Sequence, residues 1–235
     1  NEGTDCFKKL DGMFAFSIYD KRNGKIFIAR DFFGEKPLYY TKQKESFIWA
    51  SELKSIIKTV DTEHAISVQG LNLYFKLTYI PAPFTIYDGI YKLEANKFIS
   101  IDVTTQEFTI TDISEITEHE KKDIPYSEAK AQVKLLVEES VESRSVSDVP
   151  IGTFLSGGVD SSVVSLCLAQ QKETPINTFS IGFEKKSFDE SDKARTVAKL
   201  IGSKHHEFTL NEQDLATNIH KILIMVIFII TYTMV

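Results

Sequence analysis

The segment from Ser156 to Ser162 combines residue types that bind phosphate groups. Its two adjacent glycines let backbone N–H groups approach an anion without a Cβ in the way. Three hydroxyls can add further donors: Ser156, Ser161 and Ser162. Asp160 would repel phosphate unless a cation lies between them, so the segment also predicts bound Mg²⁺.

We call Ser156–Ser162 the glycine loop; it lies between a predicted strand and a predicted helix. A short apolar run ends at Leu155, and Val163 to Gln171 has helical character. This arrangement forms a phosphate cradle, because the helix N-terminus adds unpaired N–H donors and the positive end of its dipole. No Gly-Lys-Ser/Thr follows the glycines, so the loop is not a Walker A motif. A plain serine- and glycine-rich turn is the alternative; the strand–helix context favours a nucleotide site.

The second half of the chain alternates between strand and helix patterns. Three strands are predicted: Ile151–Leu155, Ile176–Ile181 and His205–Leu210. Two helices are predicted between them: Asp160–Gln171 and Asp189–Ile201. The alternation predicts a parallel sheet with covering helices. The glycine loop then lies at the carboxyl end of a strand, where open α/β sheets bind ligands.

The first half is predicted to be β-rich, with a hairpin turn at Asn23-Gly24. The stretch from Asp112 to Asp123 is polar and has the composition of a surface linker. We therefore expect domains over 1–111 and 125–235, joined by a linker over 112–124. A long helix is predicted after Pro125, with one apolar face. Two residues typical of that face are Val133 and Leu136.

Composition excludes several classes of function. The chain has 235 residues, of which 43% are hydrophobic and 26% charged, and a net charge of −6. Because there is no basic stripe, nucleic-acid binding is disfavoured. Cys6 and Cys167 give no disulfide framework and no metal spacing, which fits a cytoplasmic setting. The uncharged run from Ile222 to Val235 is too short to span a bilayer, which needs about 20 apolar residues.

The glycine loop resembles the pyrophosphate loop of the ATP pyrophosphatases, SGG-x-DS. Two further motifs precede it, DGMFAF at Asp11–Phe16 and RDFFGEKPLYY at Arg30–Tyr40. In this order, the three motifs resemble the glutamine-hydrolysing asparagine synthetase family over most of the chain. Shorter matches support the resemblance: Ala50–Lys54, Ile80–Pro83, Phe179–Phe183 and His205–Glu207.

The resemblance implies a fold that mixes α/β and α+β. It implies an incomplete N-terminal-nucleophile glutaminase domain with α/β/β/α layers, followed by the start of a parallel-sheet ATP-pyrophosphatase domain. It further implies an ATP-dependent carbon–nitrogen ligase of asparagine biosynthesis that takes its amide nitrogen from glutamine. MgATP adenylates the side-chain carboxylate of aspartate, and ammonia made from glutamine then attacks the acyl-adenylate.

The resemblance also implies roles for individual residues. Pyrophosphate and Mg²⁺ would be held by Ser156, Gly157, Gly158, Asp160, Ser161 and Ser162. Asp160 is the expected metal ligand. Phe154 or Leu155, together with Ile181, would line the adenine pocket, largely through backbone groups. Phe154 and Ile181 are strand residues, so a place in the core is equally expected for them.

The chain departs from the family pattern at both ends. The family nucleophile is a cysteine that must open the mature chain, whereas Asn1 stands first here, so no catalytic residue is assigned and no glutamine hydrolysis is expected. A second phosphate motif, SG-x-G-x-DE, and the aspartate-binding region are absent. The run from Ile222 suggests a frame change or a truncated gene model, with a real buried element as the alternative. We expect truncation at both ends, weak nucleotide binding and incomplete adenylation.

Other functions stay open at this point. One alternative is a related amidotransferase or β-lactam-forming ligase with another acceptor, because the acceptor pocket lies outside this sequence. Another is a non-catalytic nucleotide-binding fragment. The expected partners are aspartate, glutamine or ammonia, and ATP, with no nucleic acid and no membrane; the resemblance leaves a homodimer open.

Overall fold

The computed structural model of the chain describes residues 2–44, 46–59, 64–115, 121, 123–185, 189–214 and 216–219. They form two compact units, one within Asn1–Glu118 and the other within His119–His220. Both contain helices and sheets, so the chain is a mixed α/β protein. No helix in these residues is long and apolar enough to cross a membrane. The apolar run from Ile222 to Val235 lies outside the described residues.

The first unit is built on two antiparallel sheets. Its strands in chain order are β1 (Ala15–Asp20), β2 (Lys25–Arg30), β3 (Tyr39–Gln43), β4 (Ser46–Ala50), β5 (Tyr91–Lys92), β6 (Lys97–Asp102) and β7 (Phe108–Asp112). One sheet has the order β1-β2-β6-β7 and the other the order β4-β3-β5. Asp20 pairs with Lys25, so the predicted Asn23-Gly24 turn joins β1 to β2 in a hairpin.

Three apolar clusters hold the first unit together. Ile28 and Ile99 of one sheet share a cluster with Tyr40 of the other, so the sheets pack face to face. On the outer face of the four-stranded sheet, a 3-10 helix (Gly3–Lys9) packs the ring of Phe7 against three other rings: Phe16, Phe27 and Phe98. On the other side, α1 (Leu53–Thr59) buries Ile56 against the second sheet. The layers therefore run helix, sheet, sheet, helix. A further helix, α2 (Val68–Leu77), begins after Ser67, whose hydroxyl accepts from the N–H of Gly70 at 3.1 Å.

The second unit contains a parallel sheet, as the alternating pattern predicts. Its elements in chain order are α3 (Tyr126–Arg144), β8 (Gly152–Phe154), α4 (Val159–Gln171), β9 (Asn177–Phe183), α5 (Ser191–Ile201) and β10 (Lys204–Leu210). The strand order is β10-β9-β8, and both pairings are parallel. The predicted strands and helices are thus confirmed, with ends displaced by a few residues.

The two faces of the parallel sheet differ in what covers them. On one face, Thr153 of β8 meets Ser165 of α4, their hydroxyls 2.8 Å apart. Side chains of paired residues in a parallel sheet share a face, so Phe154 and Phe179 lie on the opposite one. That face is exposed to solvent at Phe154 and Ile181. Helices α4 and α5 therefore cover one side of the sheet.

The predicted apolar face of α3 is present in sequence but is not buried. No residue of α3 is buried, and Val133 and Leu136 are 60% and 62% exposed. Helix α3 contacts α4, where the Gln171 side-chain amide donates to the Glu138 carbonyl at 2.9 Å. Helical periodicity indicates which side of a helix is apolar, but whether that side is covered depends on a partner element.

Candidate functional site

The glycine loop lies at the carboxyl end of β8 and at the amino end of α4. The N–H of Leu155 donates to the Phe179 carbonyl at 2.8 Å, which extends the strand pairing up to the loop. Helix α4 begins at Val159, with Gly158 as its N-cap residue. The predicted order of strand, loop and helix is therefore present in the structure, with the unpaired N–H groups of a helix start at the loop.

Gly157 brings the loop against a second helix. Its φ is +80°, a conformation that residues with a side chain rarely adopt. A Cβ built there would lie 2.5 Å from the Cβ of Lys193 and 2.7 Å from the backbone N of Ala194. Both atoms belong to the first turn of α5. The loop is thus enclosed by the amino ends of α4 and α5, and only glycine fits where they meet.

The serine hydroxyls of the loop bond within the loop. The hydroxyls of Ser156 and Ser161 lie 2.9 Å apart, and the hydroxyl of Ser162 donates to the Gly158 carbonyl at 2.6 Å. The N–H of Gly158 donates to the hydroxyl of Ser156 at 3.3 Å. All these bonds are exposed to solvent, so the hydroxyls shape the loop and remain accessible to a ligand.

Asp160 is exposed in the first turn of α4. Among the described residues it makes no hydrogen bond or ion pair, and those residues contain no group of three or more side chains that could hold a metal ion. Mg²⁺ needs no such group, because it commonly binds one or two carboxylates together with substrate phosphates and water. A single free carboxylate beside an anion-binding loop fits that mode of binding.

The three residues expected at the adenine pocket have different environments. The side chain of Leu155 is buried against Ala194 and Ala198 of α5, so only its backbone is available to a ligand. Phe154 is 82% exposed and Ile181 is 53% exposed, on the sheet face away from α4 and α5. The alternative of a core position therefore does not hold for Phe154 and Ile181 in this structure.

The start of α5 is fixed by Asp189. Its carboxylate accepts from the N–H of Ser191 at 3.1 Å and from the Ser191 hydroxyl at 3.0 Å. The Ser191 N–H bond is the largest cause that lowers the pKa of Asp189. Gly182 provides the space, because a Cβ there would lie 3.1 Å from Oδ1 of Asp189. Asp189 thus bonds the first residue of a helix at the site.

Arg195 fastens α5 to β10. Its Nε and Nη2 donate to the two carboxylate oxygens of Glu207 at 3.1 and 2.9 Å, and its Nη1 donates to Asp192 at 2.6 Å. The hydrogen bond from Arg195 lowers the pKa of the Glu207 carboxyl, and the same bond raises the pKa of Arg195. We did not predict this pair from the sequence. The sequence pattern that could have indicated the pair is an arginine one turn after the start of a predicted helix and a glutamate on the next predicted strand.

His205 and His206 point to opposite sides of the sheet, as adjacent strand residues must. Nδ1 of His205 lies 2.9 Å from the Thr178 hydroxyl, and its Nε2 lies 3.1 Å from the Ser180 hydroxyl. The ring of His206 stacks on Phe179 with centroids 4.9 Å apart. Each imidazole therefore has its own partners, on its own face of the sheet.

Two family models match the chain. The glutamine amidotransferase domain matches residues 1–111, and asparagine synthase matches residues 132–227. The second match includes the glycine loop and extends into the apolar run that starts at Ile222. The origin of that run stays a prediction.

Individual relatives match both units together. A Methanocaldococcus jannaschii protein, named as a candidate glutamine-hydrolysing asparagine synthetase, is 37% identical over 93% of the chain. Glutamine-hydrolysing asparagine synthetase 3 of Bacillus subtilis is 30% identical over 92% of the chain, and the Bos taurus enzyme is 32% identical over 91%. The chain spans 43%, 37% and 37% of the lengths of these relatives. It belongs to the glutamine-hydrolysing asparagine synthetase family.

Proposed function

We propose that the glycine loop binds the phosphates of MgATP for the adenylation of aspartate. The aspartyl-adenylate is then amidated by ammonia, which is either released from glutamine or taken from solution. The observation that carries the proposal is the position of the loop, between the carboxyl end of β8 and the amino ends of α4 and α5. In this proposal the first unit corresponds to a glutaminase domain and the second to an ATP-pyrophosphatase domain, with the boundary at 112–124.

The chemistry requires a site that holds phosphate charge through bond breaking. Attack by a carboxylate on the α-phosphate releases pyrophosphate, so negative charge must be stabilised on the departing group. In this proposal the backbone N–H groups of Gly157 and Gly158 hold it, the second in exchange for its bond to the Ser156 hydroxyl, and the loop hydroxyls add donors. Mg²⁺, when bound, offsets part of the phosphate charge, and Asp160 would hold it.

The base of the nucleotide has an apolar surface available beside the loop. Phe154 precedes the loop directly, and Ile181 lies on the neighbouring strand on the same face of the sheet. Exposed apolar side chains near a phosphate site are suited to cover a planar base. We propose that these two side chains, with the backbone of Leu155, line the adenine pocket.

Binding of MgATP to the chain tests this proposal directly. Gly157→Ala adds a methyl group where Lys193 and Ala194 already lie, so we expect MgATP affinity to fall at least about tenfold by isothermal titration calorimetry. Gly202→Ala is the matched control, because Gly202 also has a positive φ, of +67°, but has nothing within 4 Å of an added Cβ. Equal affinity of the Gly157→Ala variant and the wild-type chain would contradict the proposal, as would a wild-type chain that does not bind MgATP.

A further inference from the structure

The glycine loop contains no positive side chain. Between Ser156 and Ser162 the one charged residue is Asp160, which carries a negative charge. A nucleoside triphosphate carries several adjacent negative charges. Walker A loops bind them with a lysine at the start of the helix. A phosphate site built on this loop therefore gains from a cation supplied by another element.

Lys193 is a cation whose backbone lies against the glycine loop. It is the third residue of α5, and its Cβ lies 2.5 Å from where a Cβ of Gly157 would be. Its stem therefore starts at the loop itself. Arg195, on the same helix, already donates three hydrogen bonds to the carboxylates of Glu207 and Asp192.

The present partner of Lys193 is a weak one. Its Nζ lies 2.9 Å from Oε1 of Glu190, one turn earlier, and the two side chains are 66% and 60% exposed. Exposed ion pairs of this kind add little to stability, because water screens them and both side chains lose freedom. The lysine ammonium is a point charge on a flexible four-carbon stem, so it can exchange one oxygen partner for another at low cost.

We propose that Lys193 is a phosphate-binding residue: its ammonium leaves Glu190 and contacts the phosphates held by the glycine loop. Glu190 then acts as a competitor, because it holds the same ammonium when the loop is empty. This inference rests on the proposed function of the loop and adds to it the residue that supplies the positive charge.

The test compares two lysines of one helix. Lys193→Met keeps the length of the side chain and removes its charge, so we expect affinity for Mg²⁺-pyrophosphate and for MgATP to fall about tenfold, as for one hydrogen bond to a charged group. Lys199→Met, at the other end of α5, should bind as the wild-type chain does. Glu190→Gln should bind a few times more tightly, because the competing carboxylate is gone. Thermal melting of each variant checks that the fold is retained.

The outcomes separate this inference from the proposed function. If the wild-type chain and Lys199→Met bind MgATP, and Gly157→Ala does not, the loop is a nucleotide site. Wild-type affinity in Lys193→Met would then overturn the role of Lys193 alone. Unchanged or weaker binding by Glu190→Gln would contradict the exchange of partners. If the wild-type chain binds neither ligand, the proposed function and this inference are both wrong.

Discussion

Two motifs that carry the family resemblance have opposite surroundings. In the first unit, Arg30 and Asp31 are buried, and their side chains bond the backbone of the loop that follows them. Asp31 accepts from the N–H groups of Glu35 and Lys36 at 2.8 and 2.9 Å, while Arg30 donates to three carbonyls: Gly34, Lys36 and Leu93. In the second unit, the hydrogen bonds of the serine hydroxyls of the glycine loop stay within the loop and are exposed. A motif whose polar groups are satisfied inside the protein supports structure, and one whose groups stay accessible can bind a ligand.

The strongest test of this comparison is to remove the exposed acid of the glycine loop. Asp160→Ala should abolish the Mg²⁺-dependent part of ATP binding, because it removes the proposed metal ligand. The free energy of unfolding should change by less than about 0.5 kcal/mol, as for an exposed side chain without a partner. Calorimetric titration with ATP, with and without Mg²⁺, measures the first effect and urea denaturation the second.

Glu128→Ala is the matched control for that experiment, because Glu128 is also an acid in the first turn of a helix. It should leave nucleotide binding as it is. If Mg²⁺-dependent ATP binding persists in Asp160→Ala, Asp160 is not the metal ligand.

Removal of the buried acid should act on stability instead. Asp31→Ala leaves two backbone N–H groups without an acceptor and a buried arginine beside them, so we expect unfolding to become easier by about 3 kcal/mol. Urea denaturation of the chain measures the loss. A cost as small as that of Asp160→Ala would show that burial does not separate the two motifs.

Lys92 extends the comparison to cations, since it is buried beside Arg30 whereas Lys193 is exposed. Its Nζ donates to the Ile80 carbonyl at 3.1 Å, and burial lowers its pKa from 10.5 to about 8, with repulsion from Arg30 adding to the shift. Between these two pKa values the unfolded chain binds the proton and the folded chain does not. Stability should therefore rise with pH above about 8, by about 1.5 kcal/mol up to pH 9.5.

The measurement for Lys92 is urea denaturation at pH 8 and at pH 9.5, compared with Lys92→Met. This range stays below the titration of Tyr40, whose pKa burial raises above 10.0. The difference between the wild-type chain and the variant should grow in favour of the wild-type chain as pH rises. A difference that does not change with pH would contradict the lowered pKa of Lys92.

The smallest effect is expected at the exposed pair of Arg195 and Glu207. Hydrogen bonding by Arg195 lowers the pKa of Glu207 from 4.5, so the stabilisation from this carboxylate is present above that pH and is lost as pH falls through the folded value. Glu207→Gln should remove this dependence and shift the urea midpoint slightly at neutral pH. Acid titration of the unfolding midpoint measures it; identical acid profiles would show that the pair adds nothing.

Local patterns in the sequence predicted most elements near the site, because strand and helix periods depend on neighbours in the chain. The glycine loop was predicted in the same way, from seven consecutive residues. The contact between Gly157 and α5 was not predictable, because it joins residues far apart in sequence. The exposed face of α3 differs from its predicted packing for a related reason: the pattern at Val133 and Leu136 gives the apolar side, and only the fold determines whether it is covered. Alternation along β8 likewise did not show that Leu155 would be buried and Phe154 exposed.

The close approach of Gly157 to α5 connects the glycine loop, α5 and β10 through direct contacts. The loop rests on the first turn of α5, and Arg195 bonds that helix to Glu207 on β10. If the loop binds phosphate as proposed, a phosphate that immobilises the loop should also restrain β10, at the edge of the sheet. Hydrogen exchange at the backbone amides of β10 should then slow when the loop is occupied, because those hydrogens exchange with solvent only when the strand opens.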